Sequence, residues 1–147
     1  MQCTTLGRTG IKVSVAGLGG GGNSKLGQGT GLSEAQSVAL VREALDLGVT
    51  FIDTAEVYGT EAIIGKAIRQ VPRDHVVLSS KSRVMIGGRP LTAAEVIANL
   101  ETSLRALGTE YIDVFHAHAV TPAAYPHARD VIAPALLQAR AQGKIRH

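Results

Sequence analysis

The sequence of 147 residues contains one cysteine, no tryptophan, three tyrosines and two phenylalanines. The lone Cys3 excludes an internal disulfide and any zinc site built on several cysteines, and it fits a reducing compartment. The five aromatics, Phe51, Tyr58, Tyr111, Phe115 and Tyr125, lie mostly inside strand-like segments and supply no stacking platform for nucleic acid. The isoelectric point near 9.3 invites that reading. However, the formal charge is only +3, from 15 basic and 12 acidic residues with no basic run. No stretch approaches the ~20 apolar residues of a membrane helix, and the N-terminus lacks the charge, apolar centre and cleavage site of a signal peptide. Neither nucleic acid nor membrane is therefore an expected partner, and the cytoplasm is the expected compartment.

What is present is apolar material for a core. Hydrophobic residues make up 45% of the chain and charged residues 18%, a balance that excludes intrinsic disorder. The 17 glycines cluster at 17–22 and at the ends of segments, as turns do, with no repeat. Branched apolar runs at 13–18, 49–52, 76–78 and 112–115 have the length of buried strands. Between them lie helical patterns. Ser33 with Gln36 forms a capping box, Val38, Val41 and Leu45 share one face, and Gly48 closes the run. Thr92 with Glu95 repeats the box ahead of Val96, Ile97, Leu100, Leu104 and Leu107, and Gly108 ends it. A shorter helix over 61–70 stops at Pro72, and a fourth over 130–142 carries Ile132, Leu136 and Leu137. Residues 2–6 and 11–14 flank Gly7-Arg8-Thr9-Gly10 as a hairpin. The sequence thus predicts an α/β fold in one domain over 1–147: a hairpin over 1–14, then four strand-helix units over 15–147 with a parallel sheet.

In such sheets the site lies beyond the carboxyl ends of the strands. Gly19 and Gly20 follow the first strand, Asp53 ends the second with Tyr58 five residues on, Lys81 ends the third and His118 the fourth. A phenol, whose ordinary pKa is near ~10, becomes a usable acid beside an ammonium. Lys81 would supply that charge, Asp53 would orient Lys81, and His118 would hydrogen-bond to a substrate oxygen. His116 shares the strand face of His118 and is expected to be a buried, hydrogen-bonded filler. The His-Ala-His pair lacks a second ligand cluster, so no metal is expected.

The segment Gly48-Val49-Thr50-Phe51-Ile52-Asp53-Thr54-Ala55-Glu56-Val57-Tyr58-Gly59 closely resembles the signature of the aldo-keto reductases. Leu6-Gly7-Arg8-Thr9-Gly10, Gly17-Leu18-Gly19, Gly65-Lys66 and Leu107-Gly108 through Tyr111-Ile112-Asp113-Val114 are similar to the same family in order and spacing. The resemblance implies a TIM-barrel-type (β/α) fold with a catalytic tetrad of Asp53, Tyr58, Lys81 and His118. It further implies reduction of aldehydes and ketones with NADPH, or NADH, with Tyr58 as general acid. Gly19, Gly20, Asp53 and Thr54 would lie near the cofactor, the glycines letting backbone approach it.

The family's barrel has eight units, and the resemblance places only four here, with 143–147 similar to the entry into its fifth strand. A half-barrel leaves strand edges and an apolar inner face open. The expectation is a homo-oligomer, most simply a dimer pairing the fourth strand of each copy with the first of the other. A second reading, from another class, is a catalytically silent half-barrel that serves as an interaction or assembly module, since much of the family's cofactor cradle comes from later units.

Overall fold

A computed structural model describes residues 1–147. An antiparallel hairpin, β1 (Cys3–Thr5) with β2 (Lys12–Ser14), precedes a four-stranded parallel sheet. The sheet runs β3 (Gly17–Gly19), β4 (Phe51–Asp53), β5 (Val77–Arg83), then a strand at Val114–His118. Between β5 and that strand lies a small hairpin, β6 (Met85–Ile86) with β7 (Arg89–Pro90), so the last sheet strand is β8. The helices are α1 (Glu34–Asp46), α2 (Glu61–Ile68), α3 (Ala93–Leu107), the single turn α4 (Tyr125–His127) and α5 (Ala133–Ala141). Successive helices touch, α1 with α2, α2 with α3 and α3 with α5. All therefore cover one face of the sheet, as in a barrel, whereas a doubly wound sheet would divide them between two. No helix is long and apolar enough to cross a membrane.

The helix ends follow their local chemistry. Both capping boxes form, Ser33 with Gln36 and Thr92 with Glu95. At the other ends, Val49 and Gly48 donate back to Ala44 and Leu45, and Thr109 and Gly108 to Leu104 and Arg105. These are Schellman closures, and they require the left-handed conformation that Gly48 and Gly108 adopt. Gly65 answers a packing need: a Cβ there would lie 2.5 Å from the Ala106 carbonyl oxygen, so α2 can approach the end of α3 only without a side chain.

Period-two alternation divides the sheet's side chains. Ile52, Leu78 and Phe115 enter the main core with Val41, Ile64, Leu100 and Leu107 from the helices. Asp53, Ser79, Lys81 and His116 lie in the alternate register and occupy the opposite face.

Four sequence expectations change. The run at 13–18 is not one strand: Val13 belongs to the hairpin, and β3 begins at Gly17. Ser14 causes the break, its hydroxyl turning back to the Ala16 carbonyl while its amide binds Thr50 Oγ1. β5 extends to Arg83, beyond the apolar run, because its buried serines are satisfied: Ser79 donates to Asp53, Ser80 to Glu61, and Ser82 accepts from Asn99. Lys81 accordingly sits within the strand. The β6–β7 hairpin, turning at Gly87 and Gly88 with positive φ, has no counterpart in the sequence reading. The last helical segment starts at Tyr125, and a π segment at Ala128–Ile132 leads into α5. Pro134 cannot donate a hydrogen bond and crowds the preceding turn, and the shifted phase leaves Leu137 62% exposed.

Residues 144–147 run beside β8. Ile145 bridges Ile112 in parallel, and hydrogen bonds join Ile112, Asp113 and Phe115 to 144–147. The entry into a fifth strand is thus formed. The lower part of β8's outer edge is consequently paired with residues 144–147 of the chain itself.

Candidate functional site

The polar face of the sheet gathers at the carboxyl end of β4 and β5. Asp53 Oδ2 accepts from Lys81 Nζ at 2.6 Å, and Oδ1 accepts from the Ser79 hydroxyl at 2.7 Å. Lys81 also donates to the Thr54 carbonyl at 2.7 Å, so two acceptors fix the ammonium. Its side chain is 16% exposed while that of Asp53 is 38% exposed, leaving the carboxylate open to a neighbour. A 3-10 turn at Glu56–Tyr58, closed by Gly59 in the left-handed region, carries the phenol over this pair. Lys81 Nζ lies 5.3 Å from the Tyr58 ring centroid. The His118 ring meets Tyr58 edge-on, with centroids 5.7 Å apart and planes at 90°.

Asp53, Tyr58, Lys81 and His118 therefore converge on one mouth although they come from three strands and a turn. Burial, and then the Lys81 charge, lower the pKa of His118 below its ordinary value against the opposing pull of Glu56 and Asp53. The shift favours the neutral ring. Its Nδ1 is buried without a partner. A buried N–H without an acceptor is costlier to leave than a lone pair without a donor, so the proton belongs on Nε2. A neutral His118 protonated on Nε2 is able to donate a hydrogen bond.

The cofactor-side candidates divide. Gly20 and Thr54 are buried, and the Thr54 and Thr60 hydroxyls hydrogen-bond at 2.9 Å while Thr60 donates to the Gly20 carbonyl. A Cβ on Gly20 would lie 2.8 Å from Thr60 Oγ1. These residues lock the loop after β3 against the loop after β4. Gly19 and Asp53 face outward, with open space where a Gly19 side chain would stand.

Three further residues were not singled out. Gly21 lies against the Tyr58 ring, and a Cβ there would be 2.6 Å from Tyr58 Cε2; the only sequence signal was the glycine cluster. Ser79 sits two residues before Lys81 and so on its face, a signal available from period two. Arg83 pairs with Glu56 at 3.1 Å beside the mouth. His116 departs from expectation: it is hydrogen-bonded, to Ser79 at 3.2 Å, but the residue is exposed rather than buried. No group of three His, Cys, Asp or Glu side chains could hold a metal ion. A cavity of about 630 Å³ lies away from these residues, between the ends of α2 and α3 beside Gly65, Arg69 and Arg105. The chemistry thus occupies an open face rather than that hollow.

Comparison with known proteins bears on the family and the fold. The chain is 34% identical over 152 residues to L-galactose dehydrogenase of Arabidopsis thaliana, covering 99% of this chain and 47% of that one. Among solved structures it resembles the thermostable aldo-keto reductase Tm1743, in complex with the inhibitor epalrestat. The TM-score there is 0.84 at 31% identity, over 100% of this chain and 52% of that one. An aldo-keto reductase of Bombyx mori in complex with NADP shares the fold, with a TM-score of 0.75 at 24% identity over 99% and 48% of the two chains. The chain spans about half the length of these relatives. The model of the Aldo/keto reductase family matches residues 17–147, and the chain belongs to that family.

Proposed function

We propose that this chain carries the acid-base half of an NADPH-dependent reductase of aldehydes and ketones, with NADH as the lesser cofactor. The observation that carries the reading is the convergence of Tyr58, Lys81, Asp53 and His118 on one open mouth. A nicotinamide cofactor fits this mouth at its reacting end. Asp53 keeps an exposed carboxylate there, and Gly19 leaves room for close approach, while Gly20 and Thr54 hold the loops on which these two stand. When bound, the cofactor supplies the hydride for the carbonyl carbon and leaves oxidised.

The chain's own residues manage the proton. His118 donates from Nε2 to the carbonyl oxygen and fixes its position, since a neutral imidazole with its proton there can polarise but not readily acidify. Tyr58 gives its hydroxyl proton to the same oxygen as negative charge gathers on it, and the product is an alcohol. Lys81 stabilises the charge left on the Tyr58 oxygen, and Asp53 with the Thr54 carbonyl holds the ammonium in place. The substrate class is a small-molecule carbonyl.

Residues 1–147 act in this reading as one half-barrel domain of the cytoplasm. Its edges at β3 and 144–147 are completed by further barrel units or by a second copy. Lys81 and Arg83, the cations at the mouth, are both paired with carboxylates, so the cofactor's phosphates must be held by that added surface. The same pairing favours a second reading, a silent half-barrel that serves as an assembly module.

Titration with NADPH followed by fluorescence, then addition of an aldehyde panel, separates the two. Saturable binding with oxidation on adding aldehyde, lost in Tyr58→Phe while binding persists, supports the reductase. Absence of binding up to millimolar cofactor gives the lead to the assembly module, and retained turnover in Tyr58→Phe removes Tyr58 from its role.

A further inference from the structure

We propose that His116 is a positioning residue for the Asp53–Lys81 pair, acting through the Ser79 hydroxyl; this deepens the reductase reading and rests on it. The argument is one of proton counting. The Ser79 hydroxyl lies 2.7 Å from Asp53 Oδ1 and 3.2 Å from His116 Nε2. A carboxylate only accepts, so the single Ser79 proton goes to Asp53. His116 can then bind Ser79 only as the donor, from Nε2–H to a lone pair of Oγ.

A directed chain results, from His116 through Ser79 to Asp53 Oδ1, while Lys81 donates to Oδ2. The carboxylate is gripped on both oxygens. One grip comes from β5 alone, and the other reaches across β5 from β8, where Lys81 and His116 are register partners. Without the His116 donor the Ser79 hydroxyl is free to rotate, and Asp53 loses one of the two constraints that aim Lys81 at Tyr58.

The groups facing His116 are Lys81 from β5, Asp53 from β4 by way of Ser79, and His118 on its own strand. The 144–147 segment brings His147 beside Val114, one register step away. Partial burial first, and then the Lys81 charge, lower the His116 pKa, with Asp53 opposing. The shift favours the neutral ring, the state in which a fixed Nε2 proton carries directional information.

Nuclear magnetic resonance of the full chain, labelled in histidine nitrogens and aspartate carboxyl carbons, tests this without requiring turnover. The expected result is a neutral His116 with its proton on Nε2. The Asp53 carboxyl signal should move in His116→Leu as it does in Ser79→Ala, and return in His116→Gln, whose amide can donate again. A proton on Nδ1, or an Asp53 signal identical in wild type and His116→Leu, overturns the proposal. Where cofactor-dependent reduction is measured, His116→Leu should lower kcat about tenfold with KM little changed, as expected for a lost hydrogen bond to a charged group. His116→Gln should recover most of it; equal rates in all three forms also overturn the proposal. A wild-type chain that binds cofactor but reduces no carbonyl refutes the reductase reading instead, and the Asp53 signal then decides this one alone.

Discussion

Gly21→Ala is the sharpest single test of how the phenol is held. The added methyl would stand 2.6 Å from Tyr58 Cε2 and 2.8 Å from Cζ, whereas carbon atoms settle at about 3.5–4.0 Å. Relief requires the ring to retreat by roughly 1 Å. Gly21 is not among the positive-φ residues, so its backbone accepts alanine, and the obstacle is the movable end of a side chain. Stability should change by less than about 1 kcal/mol, because reduced freedom of the unfolded chain offsets part of the strain. The rate should not be spared: a misplacement of about 1 Å costs on the order of 100-fold. The assay is NADPH-dependent aldehyde reduction beside urea unfolding, with the ring-current shift that Tyr58 imposes on His118 as a readout independent of turnover. In a Tyr58→Phe background the same substitution should add almost nothing, since the hydroxyl it displaces is already gone. An unchanged His118 shift in Gly21→Ala, or an undiminished 100-fold loss in the Tyr58→Phe background, would refute the reasoning.

Other consequences follow from the same contacts. Asp113 is 2% exposed and accepts from Arg73, Arg146 and the Leu78 amide; Asp113→Ala should cost about 3–5 kcal/mol in urea unfolding, the scale of breaking a buried charge pair. A loss below about 1 kcal/mol would reduce that network to a surface contact. Gly65→Ala gains up to ~1 kcal/mol of helix propensity but places Cβ against backbone at Ala106 and Leu107. Since that backbone cannot yield cheaply, overpacking of about 1–3 kcal/mol should win, and a raised Tm would contradict it. Glu95 is held to a pKa of about 2 by Arg89 first and then by Thr92. A depressed carboxylate contributes fully above its ordinary value of 4.5 and loses that contribution as pH falls through about 2. A carboxyl titration midpoint near 4.5 would show that neither Arg89 nor the capping box holds it.

The sequence by itself determined what is local or periodic. Ser33-Gln36 and Thr92-Glu95 cap because the side chain and the amide it satisfies lie within one turn, and Gly48 and Gly108 close helices because few other residues adopt that backbone. The Gly48–Gly59 motif and the strand ends singled out Asp53, Tyr58 and His118, because strand chemistry projects from a predictable end of a parallel sheet; Lys81 was read as a strand end but lies inside β5, which runs on to Arg83. What depended on a partner distant in sequence was decided only by tertiary structure. The serines of β5 read as a strand's end until Asp53, Glu61 and Asn99 satisfied them across 17 to 26 residues of chain. Gly20 and Gly21 looked alike, yet one makes room for Thr60 and the other for Tyr58. His116 was assigned to the interior because alternation set it on the face of His118 and the family resemblance put His118 at the mouth; but a face and a position along it do not say what covers a side chain, and exposure depends on the cover.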